Sequence, residues 1–245
     1  MKKSNRMGYK GQSWKELQKI INKGHSRDKV FHDWLDLILT SSLALRDNVR
    51  RGNLKPGKFD GVYEDRYHEI IQRYDNSSKH GERPVDHFAR AYAFLLQEIN
   101  ETENDVLGDI YMLEITYGEH GQFFTPESIT DMMAGLIVAP SKSEEGRQVI
   151  CDPACGSGRM LLSAHKQKPD AFLVGIDLDP RCAKMCTINI MLRELSGDIY
   201  QGNALTADMQ HVWLIRNGWI EENENPTAPD RIKKYAQQQE SPLAA

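Results

Sequence analysis

The sequence predicts an α/β protein, in which a helical N-terminal domain precedes a truncated Rossmann-like core of about three parallel strands. Two patterns along the 245 residues support this prediction. Apolar residues recur at helical spacing as far as Gly118, and beyond it short apolar runs alternate with helical patterns. We therefore divide the chain into a helical domain (1–118), a core (119–208) and a C-terminal helix with a polar tail (209–245).

The first half should contain several helices. Ser13 and Glu16 have the spacing of a capping box, which predicts a helix start, and Gly24 should follow the end of that helix. Stripes of apolar residues three and four positions apart predict further helices over 31–45, 63–74, 85–99 and 106–115.

The second half should form a parallel sheet with helices between its strands. Thr125, followed by proline and glutamate, is typical of the N-cap of a helix. Short apolar runs predict strands over 148–152, 171–177 and 197–203. The segments between them predict helices over 157–167 and 180–195. This alternation is typical of βαβ units.

The segment after the third strand is interpreted as a helix from Thr206 to Gly218. Val212 and Trp213 of this helix could cover the sheet. We interpret Trp213 and Trp219 as packing residues rather than as residues that stack on a base.

Composition excludes several classes of protein. No apolar run approaches the roughly 18 residues of a membrane span, and the basic N-terminus lacks the apolar core of a signal peptide. We therefore expect a cytoplasmic protein without membrane contact. Four cysteines are too few for a disulfide scaffold. The spacing of Cys151 with Cys155, and of Cys182 with Cys186, leaves zinc as an alternative, but we favour buried, reduced thiols and expect no metal.

Charge is unevenly distributed along the chain. The net charge is −4, yet residues 1–30 contain nine basic and two acidic residues. Such a basic arm can contact phosphate groups. A solvated arm without a partner is the alternative, and the pattern does not decide between the two.

Residues 149–162, VICDPACGSGRMLL, are typical of the strand, tight turn and helix that hold a nucleotide. A P-loop is excluded because Gly158 is followed by Arg159 rather than by lysine. A dinucleotide fingerprint needs a third glycine where Leu161 stands. Asp152, at the strand end, would repel a pyrophosphate but suits the cationic end of S-adenosylmethionine (SAM).

The end of the second strand favours the same ligand. Asp177 follows Gly158 by 19 residues, close to the spacing of about 20 at which an acid at a strand end binds ribose hydroxyls. Leu178, next to it, could cover one face of the adenine. These signals together predict SAM as the cofactor.

Four stretches carry a family resemblance: GQFFTPESITDMM, VICDPACGSGRMLLSA, VGIDLDPRCAKMCTINIML and GNALTAD. In this order they resemble N6-adenine DNA methyltransferases, above all the modification subunits of type I restriction systems and their short phage- or plasmid-borne relatives. The resemblance covers about residues 104–208. It implies DNA as a partner, which the basic arm and a protein partner could contact, and a doubly wound sheet with a helical N-terminal domain.

The resemblance also assigns nine residues to the cofactor site: Phe124, Thr125, Asp152, Ala154, Gly156, Gly158, Asp177, Leu178 and Asn203. It implies that Thr125 meets the carboxylate of the methionine moiety and that Asp152 lies near its ammonium. Asp177 would hold the ribose, Leu178 would pack on the adenine, and Asn203 would lie near the adenine edge.

The chain departs from the family at its catalytic motif. Family members carry Asn-Pro-Pro-Tyr or Asn-Pro-Pro-Phe after a fourth strand, where it holds the flipped adenine. The near match Asn225-Pro226 is followed by Thr227 and preceded by the acidic EENE, so we reject it as catalytic. The catalytic residues therefore stay unassigned.

The last 37 residues (209–245) are too few for four more strands, because a βα crossover takes about 30 residues. We expect strand order 3-2-1, with the first strand at an open edge. Either the C-terminal segment or another chain, a protein partner or a second copy, should cover that edge.

Two functions remain open. The chain could supply the SAM half of a DNA adenine methyltransferase whose partner or second copy recognises the target base. Alternatively, it could be a non-catalytic SAM-binding protein, a decoy or regulator of a restriction-modification system. A methyltransferase with another acceptor agrees less well with the GQFFTP stretch.

Overall fold

The structure is a computed structural model, and it describes residues 11–52, 61–102, 104–115, 124–137, 148–224 and 226. The chain divides into two compact units, residues 1–124 and 125–245. Within the described ranges, no helix is long and apolar enough to cross a membrane.

The first unit is helical, and its core is formed by the apolar stripes of the sequence. Its elements are α1 (Gln12–Ile21), α2 (Arg27–Arg50), α3 (Val62–Ile71), α4 (Pro84–Thr102), α5 (Val106–Ile110) and a π-helical turn (Tyr111–Ile115). Leu17, Trp34 and Leu95, from three different helices, are almost fully buried. The five helices predicted in this half of the chain are thus confirmed.

The predicted capping box at Ser13 and Glu16 is wrong. α1 begins at Gln12, and Ser13 lies inside the helix with its side chain buried. The carboxylate of Glu98, on α4, accepts hydrogen bonds from Gln12 N (2.7 Å) and from Ser13 Oγ (2.6 Å). A distant carboxylate therefore satisfies groups at the helix start that a local cap would otherwise satisfy.

Glu16 has a different role, in a buried cluster between α1 and α4. Its carboxylate lies 2.6 Å from Lys19 Nζ, 2.8 Å from His87 Nδ1 and 3.1 Å from Arg90 Nε. Burial alone would raise the pKa of Glu16, but the hydrogen bonds from these three side chains outweigh it and lower the pKa to about 2. Glu16 is therefore held as a carboxylate.

The second unit is α/β. Its elements are α6 (Glu127–Ile137), β1 (Val149–Asp152), α7 (Arg159–Gln167), β2 (Phe172–Asp177), α8 (Pro180–Leu192), β3 (Gly197–Asn203), β4 (Asp208–Arg216) and β5 (Trp219–Glu224). The strands form one sheet in the order β1-β2-β3-β4-β5. β1, β2 and β3 are parallel, whereas β4 and β5 each run antiparallel to the preceding strand. The three parallel strands and their order are confirmed.

The predicted helix over 206–218 is wrong, because this segment forms β4 and turns into β5. Asn217 and Gly218 make the turn with φ values of 50° and 79°. Asn-Gly with two positive φ values is the preferred sequence of a type I′ hairpin turn. Trp213 is buried in the sheet, as a packing residue should be, but Trp219 is 49% exposed and does not fit that interpretation.

Both faces of the sheet contain buried apolar side chains. On one face, Leu173 and Ile199 are fully buried. α7 lies on this face, since a Cβ atom at Gly175 would be 3.2 Å from Leu161. On the opposite face, Ile176, Tyr200 and Val212 form a second buried cluster, against which Val174 packs with part of its surface exposed.

β1 forms an edge of the sheet. Among the described residues it pairs with β2 alone, and all four of its residues are half-buried. The two C-terminal strands extend the sheet beyond β3, at the opposite edge. Within the described part of the chain, the C-terminal segment therefore does not cover β1.

Candidate functional site

Three of the predicted site residues stand at the ends of neighbouring strands. Asp152 ends β1, Asp177 ends β2 and Asn203 ends β3. Because these strands are parallel, their carboxyl ends meet at one edge of the sheet, where α/β proteins bind ligands. Asp152 pairs with Gly175, and Asp177 pairs with Gln201. Each strand therefore extends two residues beyond the preceding one.

Backbone hydrogen bonds join the loops that follow β1 and β2. Asp177 accepts from Gly156 N (2.8 Å) through one carboxylate oxygen and from Asp179 N (2.9 Å) through the other. Asp152 accepts from Ala154 N (3.1 Å). The structure thus brings Asp152, Ala154 and Gly156, in and before the turn that follows β1, together with Asp177 at the end of β2.

The two carboxylates lie in an environment that disfavours negative charge. Burial raises the pKa of Asp152, and the charge of Asp177 adds to this effect. Burial also raises the pKa of Asp177, although the N–H groups of Gly156 and Asp179 oppose the shift. No lysine or arginine in the described part of the chain forms an ion pair with either carboxylate. A cationic ligand would stabilise both charges.

Gly158 has a packing role at the end of the turn. It is buried with φ +88°, and a Cβ atom there would lie 2.7 Å from Cys186 Sγ on α8. Asn189, also on α8, donates from Nδ2 to the carbonyl oxygen of Ser157 (2.9 Å). The sequence pattern did not predict the contact of Cys186 with Gly158 or that of Asn189 with Ser157. A buried asparagine among the apolar residues of a helix was the available signal, since it must find a partner.

The remaining predicted residues of this unit lie around the turn. Thr125 is exposed, and its carbonyl oxygen lies 3.4 Å from Arg159 Nη1. Leu178 is 66% exposed. Asn203 uses Oδ1 to accept from Leu205 N (2.9 Å), which fixes the turn after β3.

Phe124 belongs to the first unit. Its ring stacks on Tyr111, with centroids 5.7 Å apart, and its N–H donates to Met112 Sδ at 3.3 Å. Its ring therefore has a packing partner in that unit.

The cysteines lie near the same turn. Cys155, Cys182 and Cys186 are buried and free, and hydrogen bonding to Cys186 together with burial raises the pKa of Cys155. Burial raises the pKa of Cys151, which is half-buried on β1, to about 11. Thiols with raised pKa values are poor nucleophiles and poor metal ligands. The described residues contain no His, Cys, Asp or Glu cluster suited to a metal ion.

Asn225, the first residue of the rejected near match to the catalytic motif, lies outside the described residues. The preceding strand, β5, is largely exposed.

The model of the N-6 DNA methylase family matches residues 84–224. The type I restriction enzyme MjaVIII methylase subunit of Methanocaldococcus jannaschii is 29% identical over 143 residues, which cover 52% of this chain and 23% of that protein. The type II restriction enzyme and methyltransferase RM.BcgI of Heyndrickxia coagulans is 30% identical over 157 residues, covering 56% and 23%. The chain therefore spans less than a quarter of these relatives.

A solved type I restriction-modification methyltransferase subunit from Streptococcus thermophilus superposes with a TM-score of 0.40 and 12% identity, covering 79% of this chain and 57% of that one. The family model itself matches more than half of the chain. By that match, this chain belongs to the N-6 DNA methylase family.

Proposed function

We propose that this chain is the cofactor-binding part of a restriction-modification DNA adenine N6-methyltransferase, with SAM as methyl donor. The observation that carries the cofactor assignment is the pair of half-buried carboxylates, Asp152 and Asp177, which have no cationic partner among the described residues. SAM offers an ammonium and a sulfonium and has no phosphate. When bound, it would supply the methyl group that is transferred to adenine.

The residues at the strand ends would bind the cofactor part by part. Asp152 faces the ammonium and Thr125 the carboxylate of the methionine moiety. Asp177 holds the ribose while keeping its two backbone hydrogen bonds, since a carboxylate has about four acceptor positions. Leu178 packs on the adenine and loses exposed apolar surface on binding. Asn203 lies at the adenine edge.

Ala154 and Gly156 line the methionine end through the turn they share with both carboxylates. Gly158 supports this turn through its close approach to α8. The resemblance also assigns Phe124 to the site, but its ring packs on Tyr111 within the first unit, so we do not include that ring in the proposed site.

A DNA substrate needs a basic surface, and α1 with the turn that follows it offers one. Lys15, Lys19 and Lys23 follow one another at four-residue spacing and are exposed. Lys2, Lys3 and Arg6, the start of the basic arm, lie outside the described residues. We include both groups in the DNA-binding surface, and we propose a cytoplasmic location because the proposed substrate is DNA. Replacing Lys15 and Lys23 by alanine should reduce the slope of log affinity against log salt by about 0.9 for each phosphate that these lysines neutralise. An unchanged slope removes α1 from the DNA-binding surface.

Recognition of the target base would come from a partner or a second copy at the β1 edge. Gln148 O accepts from Phe172 N of β2 (2.7 Å). Because backbone groups alternate along a strand, the N–H and C=O of Val149 and Cys151 point away from β2. These groups could pair with a strand from another polypeptide.

A second candidate function is a non-catalytic SAM-binding protein that acts as a decoy or regulator. Residues 1–245 contain no Asn-Pro-Pro-Tyr/Phe motif, and this alternative predicts SAM binding without methyl transfer.

Titration calorimetry with SAM tests the cofactor assignment. We expect saturable binding by the wild-type chain and a loss of at least 10-fold in affinity in Asp177→Ala, because a buried charge-assisted hydrogen bond is removed. Asp170→Ala, an exposed acid before the same strand, is the matched control and should bind normally. Absence of wild-type binding would refute the proposal.

Transfer from tritiated SAM to unmethylated DNA separates the two functions. If a second copy completes the enzyme, label should enter DNA at a rate that rises with the square of the chain concentration. Val149→Pro removes an N–H group from the free edge of β1, and a proline is tolerated at such an edge position. This variant should abolish the dependence of the rate on the square of the chain concentration. Label that rises linearly with the chain concentration would contradict completion by a second copy. No label from the chain alone, but label when a co-purifying partner is added, would support completion by that partner. No label in either case, with SAM bound, favours the non-catalytic function.

A further inference from the structure

The open edge of β1 is bordered by α6. Ala134 of α6 and Ala164 of α7 form a small buried cluster, and Ile150 of β1 packs against it. α7 lies over both β1 and β2, because Leu161 would be 3.2 Å from a Cβ atom at Gly175 of β2. α8 packs farther along the sheet, on β2, β3 and β4. α6 therefore lies on the side of α7 that is away from α8, at the edge of the sheet.

The spacing of helices and strands places α6 over the next strand position. Neighbouring helices are about 8–10 Å apart, and neighbouring strands are about 4.7–4.9 Å apart. Because α7 is centred between β1 and β2, a helix beside it extends past β1 by more than one strand spacing. A strand added to β1 would therefore lie beneath α6.

α6 turns an apolar side towards this position. Its acidic residues Glu127 and Asp131 lie 3.7 Å and 4.0 Å from Lys166 Nζ on α7. Lys166 follows Leu161 by five residues, which is about 140° around a helix, so Lys166 is on the side of α7 away from the sheet. The opposite side of α6 faces the level of the sheet and carries Ile129, Met133 and Leu136. We name the space between these three side chains and the free edge of β1 the β1 notch.

The β1 notch has two features that an extended strand would match. The N–H and C=O groups of Val149 and Cys151 point away from β2 and are available for strand pairing. Ile129 and Leu136 are exposed, and Leu136 is exposed to 72%. Alternate side chains of an added strand would point towards α6 and remove this apolar surface from water. A strand with apolar residues at every second position therefore fits the notch.

The other outer strand of a second copy, β5, does not fit the β1 notch. Glu221 points to one face of the sheet, and Glu222 and Glu224 point to the other, since side chains alternate along a strand. Either orientation of β5 would place a carboxylate against the apolar side of α6, and burial of an unpaired charge is costly. Head-to-tail assembly of this chain is therefore disfavoured.

The β1 strand of a second copy does not fit either. In an antiparallel pair of two β1 strands, both α7 helices lie on the same face, each about one strand spacing from the symmetry axis. The two α7 helices would then be about 10 Å apart, which is a single helix-to-helix distance and leaves no room for the two α6 helices. A parallel pair about a two-fold axis fails because each N–H would face the same N–H of the copy.

We propose that the β1 notch binds a strand of a different protein, in which apolar side chains occupy every second position. β1 pairs with the backbone of this strand, and α6 covers one of its faces. The inference deepens the proposed function and rests on it for the role of the partner, since it names a protein other than this chain as the partner at β1. The notch itself is formed by α6, α7 and β1 and does not require bound SAM.

The probe is a short synthetic peptide with valine at alternate positions, threonine between them and lysine at both ends. It is titrated into the full chain labelled with ¹⁵N-cysteine. The chain has four cysteines, and the backbone signal of Cys151 is identified by its loss in Cys151→Ala. The peptide should move this signal and slow the hydrogen exchange of the Cys151 N–H at least 10-fold. The signals of Cys182 and Cys186, which are buried on α8, should not move.

Two leucine variants test the contribution of α6. Leu136→Lys places a charge in the notch and should weaken peptide binding at least 10-fold. Leu205→Lys is the matched control, because Leu205 is also an exposed leucine of the second unit but follows β3, which β2 separates from β1. This control should bind normally. A Cys151 signal that does not move at millimolar peptide, or unchanged binding in Leu136→Lys, would overturn the proposal.

Sedimentation of the chain alone tests a second copy as the occupant. We expect a monomer at micromolar concentrations. A dimer that Leu136→Lys disperses would assign the notch to a second copy and overturn the proposal. Calorimetry with SAM separates this inference from the proposed function. SAM binding without peptide binding refutes the notch alone, whereas peptide binding without SAM binding refutes the cofactor assignment and leaves the notch.

Discussion

Replacing Gly158 by alanine should destabilise the second unit by about 2 to 5 kcal/mol. The φ of +88° lies in the left-handed region, which costs a residue with a Cβ about 1–2 kcal/mol. The added Cβ would also lie 2.7 Å from Cys186 Sγ. Cys186 is fully buried and cannot move into solvent, and such overpacking costs about 1–3 kcal/mol.

The double variant Gly158→Ala, Cys186→Ala separates the two causes. Removing the sulfur relieves the overpacking but leaves the backbone strain. The double variant should therefore be more stable than the sum of the single effects predicts, by about 1–3 kcal/mol.

Thiol labelling in urea is a suitable assay, because the four cysteines, at positions 151, 155, 182 and 186, all lie in the second unit. Labelling therefore reports the unfolding of this unit alone. A Gly158→Ala midpoint equal to that of the wild type would refute the clash. Strict additivity of the two substitutions would show that Cys186 is not its cause.

Three further effects are expected. The pKa of Glu16 is lowered to about 2 in the folded chain, against 4.5 for a free carboxyl. The free energy of unfolding of the first unit should therefore fall by up to about 3 kcal/mol as the pH falls from 4.5 to 2. In urea-induced unfolding, Glu16→Gln should remove most of this pH dependence. Burial raises the pKa of Asp152 instead. The second unit should therefore lose stability as the pH rises from about 4 through this raised pKa. Asp152→Asn should reduce this dependence of stability on pH, measured by thiol labelling with a disulfide reagent that reacts at acidic pH. Glu98→Ala removes the acceptor of Gln12 N, at the start of α1, and of the buried Ser13 hydroxyl. It should lower the free energy of unfolding in urea by about 2–4 kcal/mol. A loss below about 0.5 kcal/mol would contradict the capping role of Glu98.

Local patterns predicted the parallel part of the sheet, because a buried strand, a turn and an amphipathic helix each leave a short-range signature. The hairpin was missed since Gly218 fits both a helix end and a type I′ turn. The preceding Asn217, which also adopts a positive φ, was the residue that distinguished them. The capping box at Ser13 was predicted wrongly for another reason. The hydroxyl of Ser13 donates to Glu98, which is 85 residues away, and capping motifs consider only residues a few positions apart.

Some features of the candidate site were predicted from local sequence patterns, and others depend on tertiary contacts. The positions of Asp152, Asp177 and Asn203 at the strand ends follow from the strand pattern. That Asp177 also holds the backbone of Gly156 and of Asp179 is a tertiary contact, which the spacing of residues does not contain. The fit of Gly158 against α8 likewise depends on helix packing.

The two outer strands of the sheet differ in how they would meet another protein. β5 carries Glu221, Glu222 and Glu224, and such charges discourage a foreign strand from adding there. β1 ends in Asp152 but is otherwise uncharged. Among the described strands, β1 is therefore the edge at which a strand of another chain would add. Addition at this single edge would give a closed pair of chains rather than an open-ended fibre.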